Sequence, residues 1–192
     1  MDERKRITYK EEMDEYRALS VESAKQILEN CNVNTKEYMN GYKNVYNFVS
    51  MAGETQYHDQ LYNEIKSNIE NYLIVAKSEQ LCLSFTSYNN NNNKNSNNNN
   101  ENEQKDKEKI IHSLITLWLN FKKSIKLLKN MLEPLARSNH YFEGKKNVIT
   151  FGYFQFKHII IESISLQSIG INIQNLENNE MYLSMLQEID SQ

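Results

Sequence analysis

The sequence predicts an all-α fold: a bundle of five to six helices interrupted by one disordered Asn-rich insertion. Three observations carry this. The 192 residues include one proline and five glycines, too few turn-formers for a sandwich or barrel of short strands. Apolar residues recur at helical spacing through most of the chain. The clearest case is Ile111, Leu114, Trp118, Phe121, Ile125, Leu128, Leu132 and Leu135, which step by three and four without a miss. They form one apolar stripe about seven turns long.

The elements follow in chain order. Met13–Cys31 is weakly periodic through Tyr16, Leu19, Ala24, Ile27 and Leu28, and Ser20 with Ser23 reads as its start. Tyr38, Tyr42, Val45 and Val49 make a second stripe, with Met39 and Tyr46 beside it. Leu61, Ile65, Ile69, Tyr72 and Ala76 make a third. Residues 87–108 then read as a disordered loop. Ten of the twelve residues 89–100 are asparagine, which cannot bury enough apolar area to offset the entropy of ordering. The long stripe follows, widened by Ile115, Leu117, Leu127 and Met131, and Pro134 is placed to end or kink it. Val148–Ile169 is rich in β-branched and aromatic residues. Local propensity would make it a strand, but in a helical chain it is expected to be a buried helix. Asn178–Ile189 reads as a short terminal helix.

The length suits a single domain, residues 1–192, burying roughly 70% of its unfolded surface. The formal charge of -3 carries no basic excess for nucleic acid. No run approaches the roughly 18–20 apolar residues of a membrane span, and residues 1–6 do not open a signal peptide. Cys31 and Cys82 make no disulfide framework, and no Asn-x-Ser/Thr site occurs. A cytoplasmic or nuclear location is expected. No phosphate-cradling glycine loop, nucleophile elbow or metal-ligand spacing is present. His58, His112, His140 and His158 are scattered. The chain is therefore expected to be no enzyme and to hold no cofactor or metal. Lys122, Lys123, Lys126 and Lys129 read as a solvated helix face.

Residues 38–48 carry four aromatics and a methionine. Such a helix is either sandwiched in a core or presents Tyr and Met to a partner, where they bury large area at modest entropy cost.

Three ordered segments carry a family resemblance. Tyr38-Met39-x-x-Tyr42-x-x-Val45-Tyr46-Asn47-Phe48 resembles the second helix of the cullin N-terminal domain. Leu61-Tyr62-x-x-Ile65-Lys66-x-x-Ile69-x-Asn71-Tyr72-Leu73 resembles its third. Trp118-x-x-Phe121-Lys122-x-Ser124-x-Lys126-x-Leu128, continued by Leu135-x-Arg137, resembles the family's Trp-x-x-Tyr-Arg-x-Ser-x-Lys-x-Leu segment. The Asn run falls where cullins connect helices three and four. Two departures stand out: the tryptophan that often opens the first helix is missing, and Pro134 replaces an aromatic.

The resemblance implies a single cullin repeat. In cullins the second and fifth helices of this repeat hold a substrate-receptor adaptor of the ubiquitin-ligase system, a SKP-type or BTB-fold protein. Tyr38 and Met39 match the adaptor-contacting pair, Tyr42 and Tyr46 lie along the same helix, and Tyr153 is the candidate from the fifth. The chain stops at Gln192, before a RING-binding half. The resemblance therefore implies a non-catalytic scaffold fragment or competitor, with no RING partner. The alternative is a helical structural or regulatory protein that kept the fold but lost adaptor binding. Gly41 favours that alternative, since mid-helix glycine costs up to about 1 kcal/mol relative to alanine. Leu166, Ile169, Ile171 and Ile173 are the candidate uncapped end for self-association.

Overall fold

The computed structural model describes residues 3–53, 55–81, 100–138, 147–163 and 179–191. Among them there are seven α-helices and no strand: α1 (Glu3–Glu29), α2 (Thr35–Ala52), α3 (Thr55–Ala76), α4 (Asn100–Met131), α5 (Glu133–Arg137), α6 (Val148–Phe156) and α7 (Asn179–Asp190). The all-α expectation holds, with one helix more than expected because Pro134 lies where the long helix is interrupted and the short α5 begins, carrying the last stripe residue, Leu135. Proline is tolerated in a first turn, where its missing N–H has no helical partner. All eight residues of the long stripe are buried.

Two local expectations change. α1 runs unbroken through Ser20 and Ser23, whose hydroxyls donate to the carbonyls of Tyr16 and Leu19 (2.7 and 2.8 Å) instead of capping a new helix. α4 reaches back to Asn100, so residues 100–108 are its first turns. Glu, Gln and Lys there are good helix formers. The rest of the Asn-rich segment, 87–99, lies outside the described residues, as do Cys82 and the stripe from Leu166 to Ile173. Val148–Phe156 is helical despite its β-branched content. Asn147 caps it, its Oδ1 accepting from the N–H groups of Ile149 and Thr150 (2.9 and 3.0 Å). The helix then widens over Lys157–Ile161, where the Glu162 N–H reaches the Lys157 carbonyl five residues back (2.9 Å).

The chain divides into two compact units, to both of which α3, α4 and α6 contribute residues. The first comprises Met1–Tyr72 and Lys122–Gly152. Its core gathers Met13, Ala24, Ile27, Val45, Phe48, Leu61, Ile65, Ile69, Ile125 and Leu128. Side chains tie its helices to carbonyls across their seams. Ser124 Oγ donates to the Ile27 carbonyl (2.8 Å), Asn68 to that of Val21 (3.0 Å) and Tyr9 to that of Met51 (2.6 Å). Arg17 pairs with Glu64 and Asp14, and the Lys66 ammonium sits over the rings of Tyr62 and Phe151 (5.2 and 4.7 Å).

The second unit comprises Leu73–Phe121 and Tyr153–Gln192. Its centre is aromatic. Trp118 meets Tyr153 and Phe156 edge-on (4.8 and 4.9 Å), and Phe121 stacks on Phe156 (5.3 Å). Lys157 is ion-paired to Asp190 at the end of α7 (2.6 Å). Among the described residues, no helix is long and apolar enough to cross a membrane.

Candidate partner-docking surface on the second helix

α2 starts at a capping box that the sequence carries as Asn34-x-x-Glu37. The Asn34 side chain accepts from the Glu37 N–H (3.0 Å), and the Glu37 carboxylate accepts from the Asn34 N–H (3.3 Å). The helix stops at Gly53, whose φ of 56° lies in the left-handed region that favours glycine. Between these ends it packs on α1 and α5.

Gly41, Val45, Phe48 and Ala52 face the core. This differs from the stripe expected at Tyr38, Tyr42, Val45 and Val49, because Gly41 lets the backbone itself approach its neighbours. A Cβ there would lie 2.8 Å from Met131 Sδ and 3.0 Å from Ser23 Cβ. The close approach turns the core line by part of a turn and leaves Tyr38, Tyr42 and Val49 half-buried on one flank. Burial, then Tyr42 and Glu133, push the Tyr38 phenol up from its ordinary value, so it remains a neutral donor near neutral pH.

The same rotation turns Met39 and Tyr46 outward, 52% and 57% exposed. They are seven residues apart and so share a face, with Tyr42 between them. One flank of α2 thus carries a thioether and phenol rings on a helix capped at its start and seated at its middle. Within residues 38–48, Phe48 lies in the core and Met39 and Tyr46 lie at the surface.

Tyr153 belongs to the second unit and is 2% exposed, its ring spent on Trp118. Burial, with Glu188 adding to it, pushes its phenol up to about 12. The ring that α6 offers to solvent is its neighbour Phe154, 53% exposed. Phe154 stacks on His158 (6.3 Å), whose Nδ1 lies 2.9 Å from the Glu162 carboxylate. The i, i+4 spacing of these three is visible in the sequence and marks a helix face. No group of three His, Cys, Asp or Glu among the described residues could hold a metal ion.

Fold and surface define a helical module in which one flank of a capped helix exposes a thioether and a phenol ring. Comparison with known families agrees: the family model described as Cullin alpha solenoid domain matches residues 19–192. The chain belongs to the cullin family. The matched range contains all three sequence segments that resemble cullins, together with α2 and α6. No curated protein and no solved structure matched the chain.

Proposed function

We propose that the chain is an adaptor-binding module of the ubiquitin-ligase system and that α2 is its docking helix. The observation carrying the reading is the outward placement of Met39 and Tyr46 within the Tyr-Met-x-x-Tyr-x-x-Val-Tyr segment, on a helix whose core face is already filled. Large apolar and aromatic side chains on a rigid element make economical anchors, because little freedom is lost on binding. Met39 and Tyr46 are the anchors, with Tyr38 and Tyr42 at their edge. Tyr153 supports α6 from within the second unit, and Phe154 is that helix's exposed aromatic.

The partner is a SKP-type or BTB-fold adaptor. Occupying an adaptor's cullin-binding face excludes any other cullin from it, so the chain would act as a competitor for shared adaptors. The rival reading, an inherited fold without adaptor binding, drew on Gly41 as a loosening residue. Its place against Ser23 and Met131 instead suits close seating of α2.

The deciding experiment is a titration of the chain with a panel of both adaptor classes, wild type against a Met39→Ala/Tyr46→Ala variant. Binding at micromolar or tighter, lost in a double variant that melts like wild type, supports the reading. No binding by a well-folded wild-type chain overturns it.

A further inference from the structure

We propose that Met39 is an oxidation-sensitive point of the α2 docking face: conversion to methionine sulfoxide by a peroxide weakens partner binding without unfolding the protein. This rests on the docking reading of α2.

The described methionines divide by access. Met13, Met131 and Met185 are buried and Met51 is half-buried, whereas Met39 and Met181 are about half exposed. Only Met39 of this exposed pair lies on the docking flank. The sulfur lone pair attacks one peroxide oxygen as the O–O bond breaks. A sulfur–oxygen bond forms, and the other oxygen leaves with the protons as water, or as an alcohol from an alkyl peroxide. Sulfur loses two electrons and the peroxide gains them.

The product is polar and accepts hydrogen bonds where a bound partner would exclude water, so the face becomes costly to bury. The fold has no stake in the change. α2 is held by Gly41, Val45, Phe48 and Ala52, and the methionine against Gly41, Met131, is fully buried. The result is a surface change on an intact helix, which methionine sulfoxide reductase can reverse.

The test oxidises the full chain alone with hydrogen peroxide, removes the peroxide, and maps sulfoxides by peptide mass spectrometry. The oxidised chain is then titrated with the adaptor that the untreated chain binds. Met39 and Met181 should oxidise ahead of Met13, Met131 and Met185. Affinity should fall by about tenfold or more, thermal unfolding should be unchanged, and the reductase should restore binding. Whatever affinity a Met39→Leu variant starts from, peroxide should not lower it further, while Met181→Leu stays as sensitive as wild type. Unchanged affinity with Met39 fully oxidised, or equal sensitivity of Met39→Leu, overturns the inference and leaves the docking reading standing. Absence of binding before any peroxide is added marks failure of the docking reading itself, and the inference falls with it.

Discussion

Met131 occupies the space that a β-carbon on Gly41 would need, its Sδ 2.8 Å from that point, and Ser23 Cβ is nearly as close at 3.0 Å. Gly41→Ala would gain up to about 1 kcal/mol of helix propensity and lose about 1–3 kcal/mol to overpacking. Because Ser23 Cβ is attached directly to the backbone of α1, the expected net effect is a destabilisation of about 1 kcal/mol in urea denaturation. Met131→Ala alone should cost about 2–5 kcal/mol. Alanine at position 41 should then do less harm, giving a coupling of about 0.5 kcal/mol or more in a double-mutant cycle. A Gly41→Ala chain more stable than wild type in both backgrounds would show that close seating is not what the glycine provides.

The two sides of α2 should separate by stability. Phe48→Ala empties a fully buried site and should cost about 3–5 kcal/mol. Met39→Ala and Tyr46→Ala should stay within about 0.5 kcal/mol of wild type, as surface substitutions do. Denaturation of the three single variants checks this. A loss at Met39 or Tyr46 comparable with that at Phe48 would place them in the core.

Tyr9 anchors the last turn of α2. Its hydroxyl donates to the Met51 carbonyl, 42 residues away, at 2.6 Å. Tyr9→Phe keeps the ring and removes the donor. About 1 kcal/mol of stability should be lost, and amide exchange should quicken in α2's final turn while the capped start is unchanged. Uniform exchange along α2 in both proteins would count against a local anchor.

His58 is buried, its ring edge-on to Phe48 (6.4 Å) and its Nδ1 3.4 Å from Ser138 Oγ. Burial pushes its pKa below the ordinary 6.5, outweighing the opposing effects of the Val49 backbone and Asp59. The unfolded chain therefore binds the proton more readily than the folded one, so stability falls as pH drops through 6.5 and below. Between pH 7.5 and 5.5, wild type should lose more stability than His58→Gln. A smaller loss in wild type would reverse the sign.

Tyr153 should behave as a core residue in mutation. Tyr153→Ala should lower stability by about 3–5 kcal/mol, and Phe154→Ala should change it little. In an alkaline absorbance titration the Tyr153 phenol should ionise last, near 12, together with Tyr62, which burial also pushes up to about 12. A Tyr153→Phe chain that keeps the full amplitude of that late phase would contradict its burial.

Much of this was readable in the chain. Ile111 to Leu135 announced their helix because a side chain every three or four residues must leave water together. Trp118, Phe121, Ser124 and Leu128 carried the cullin resemblance as plainly as the packing they perform. Val148–Phe156 was harder, since local propensity argued for a strand. Its helix depends on the Asn147 cap and on the burial of Tyr153 and Phe156 against Trp118. Ser20 and Ser23 misled because a serine hydroxyl can cap a new helix or bond back to its own, and only the unbroken turn of α1 decides between these.

Helical content, the long apolar stripe and family membership are properties of residue order, because periodicity records how much each helix must bury. Which way α2 faces is not such a property. Tyr38, Tyr42, Val45 and Val49 made as good an apolar line as Gly41, Val45, Phe48 and Ala52, and a glycine scores as a poor core residue in any pattern of hydrophobicity. The choice fell to the missing β-carbon of Gly41, whose value exists only because Ser23 and Met131 stand beside it. That one contact turns Phe48 inward and Met39 and Tyr46 outward. The exposed face of Met39 and Tyr46 is therefore a consequence of tertiary packing, made from residues whose identities the chain displays but whose direction it does not.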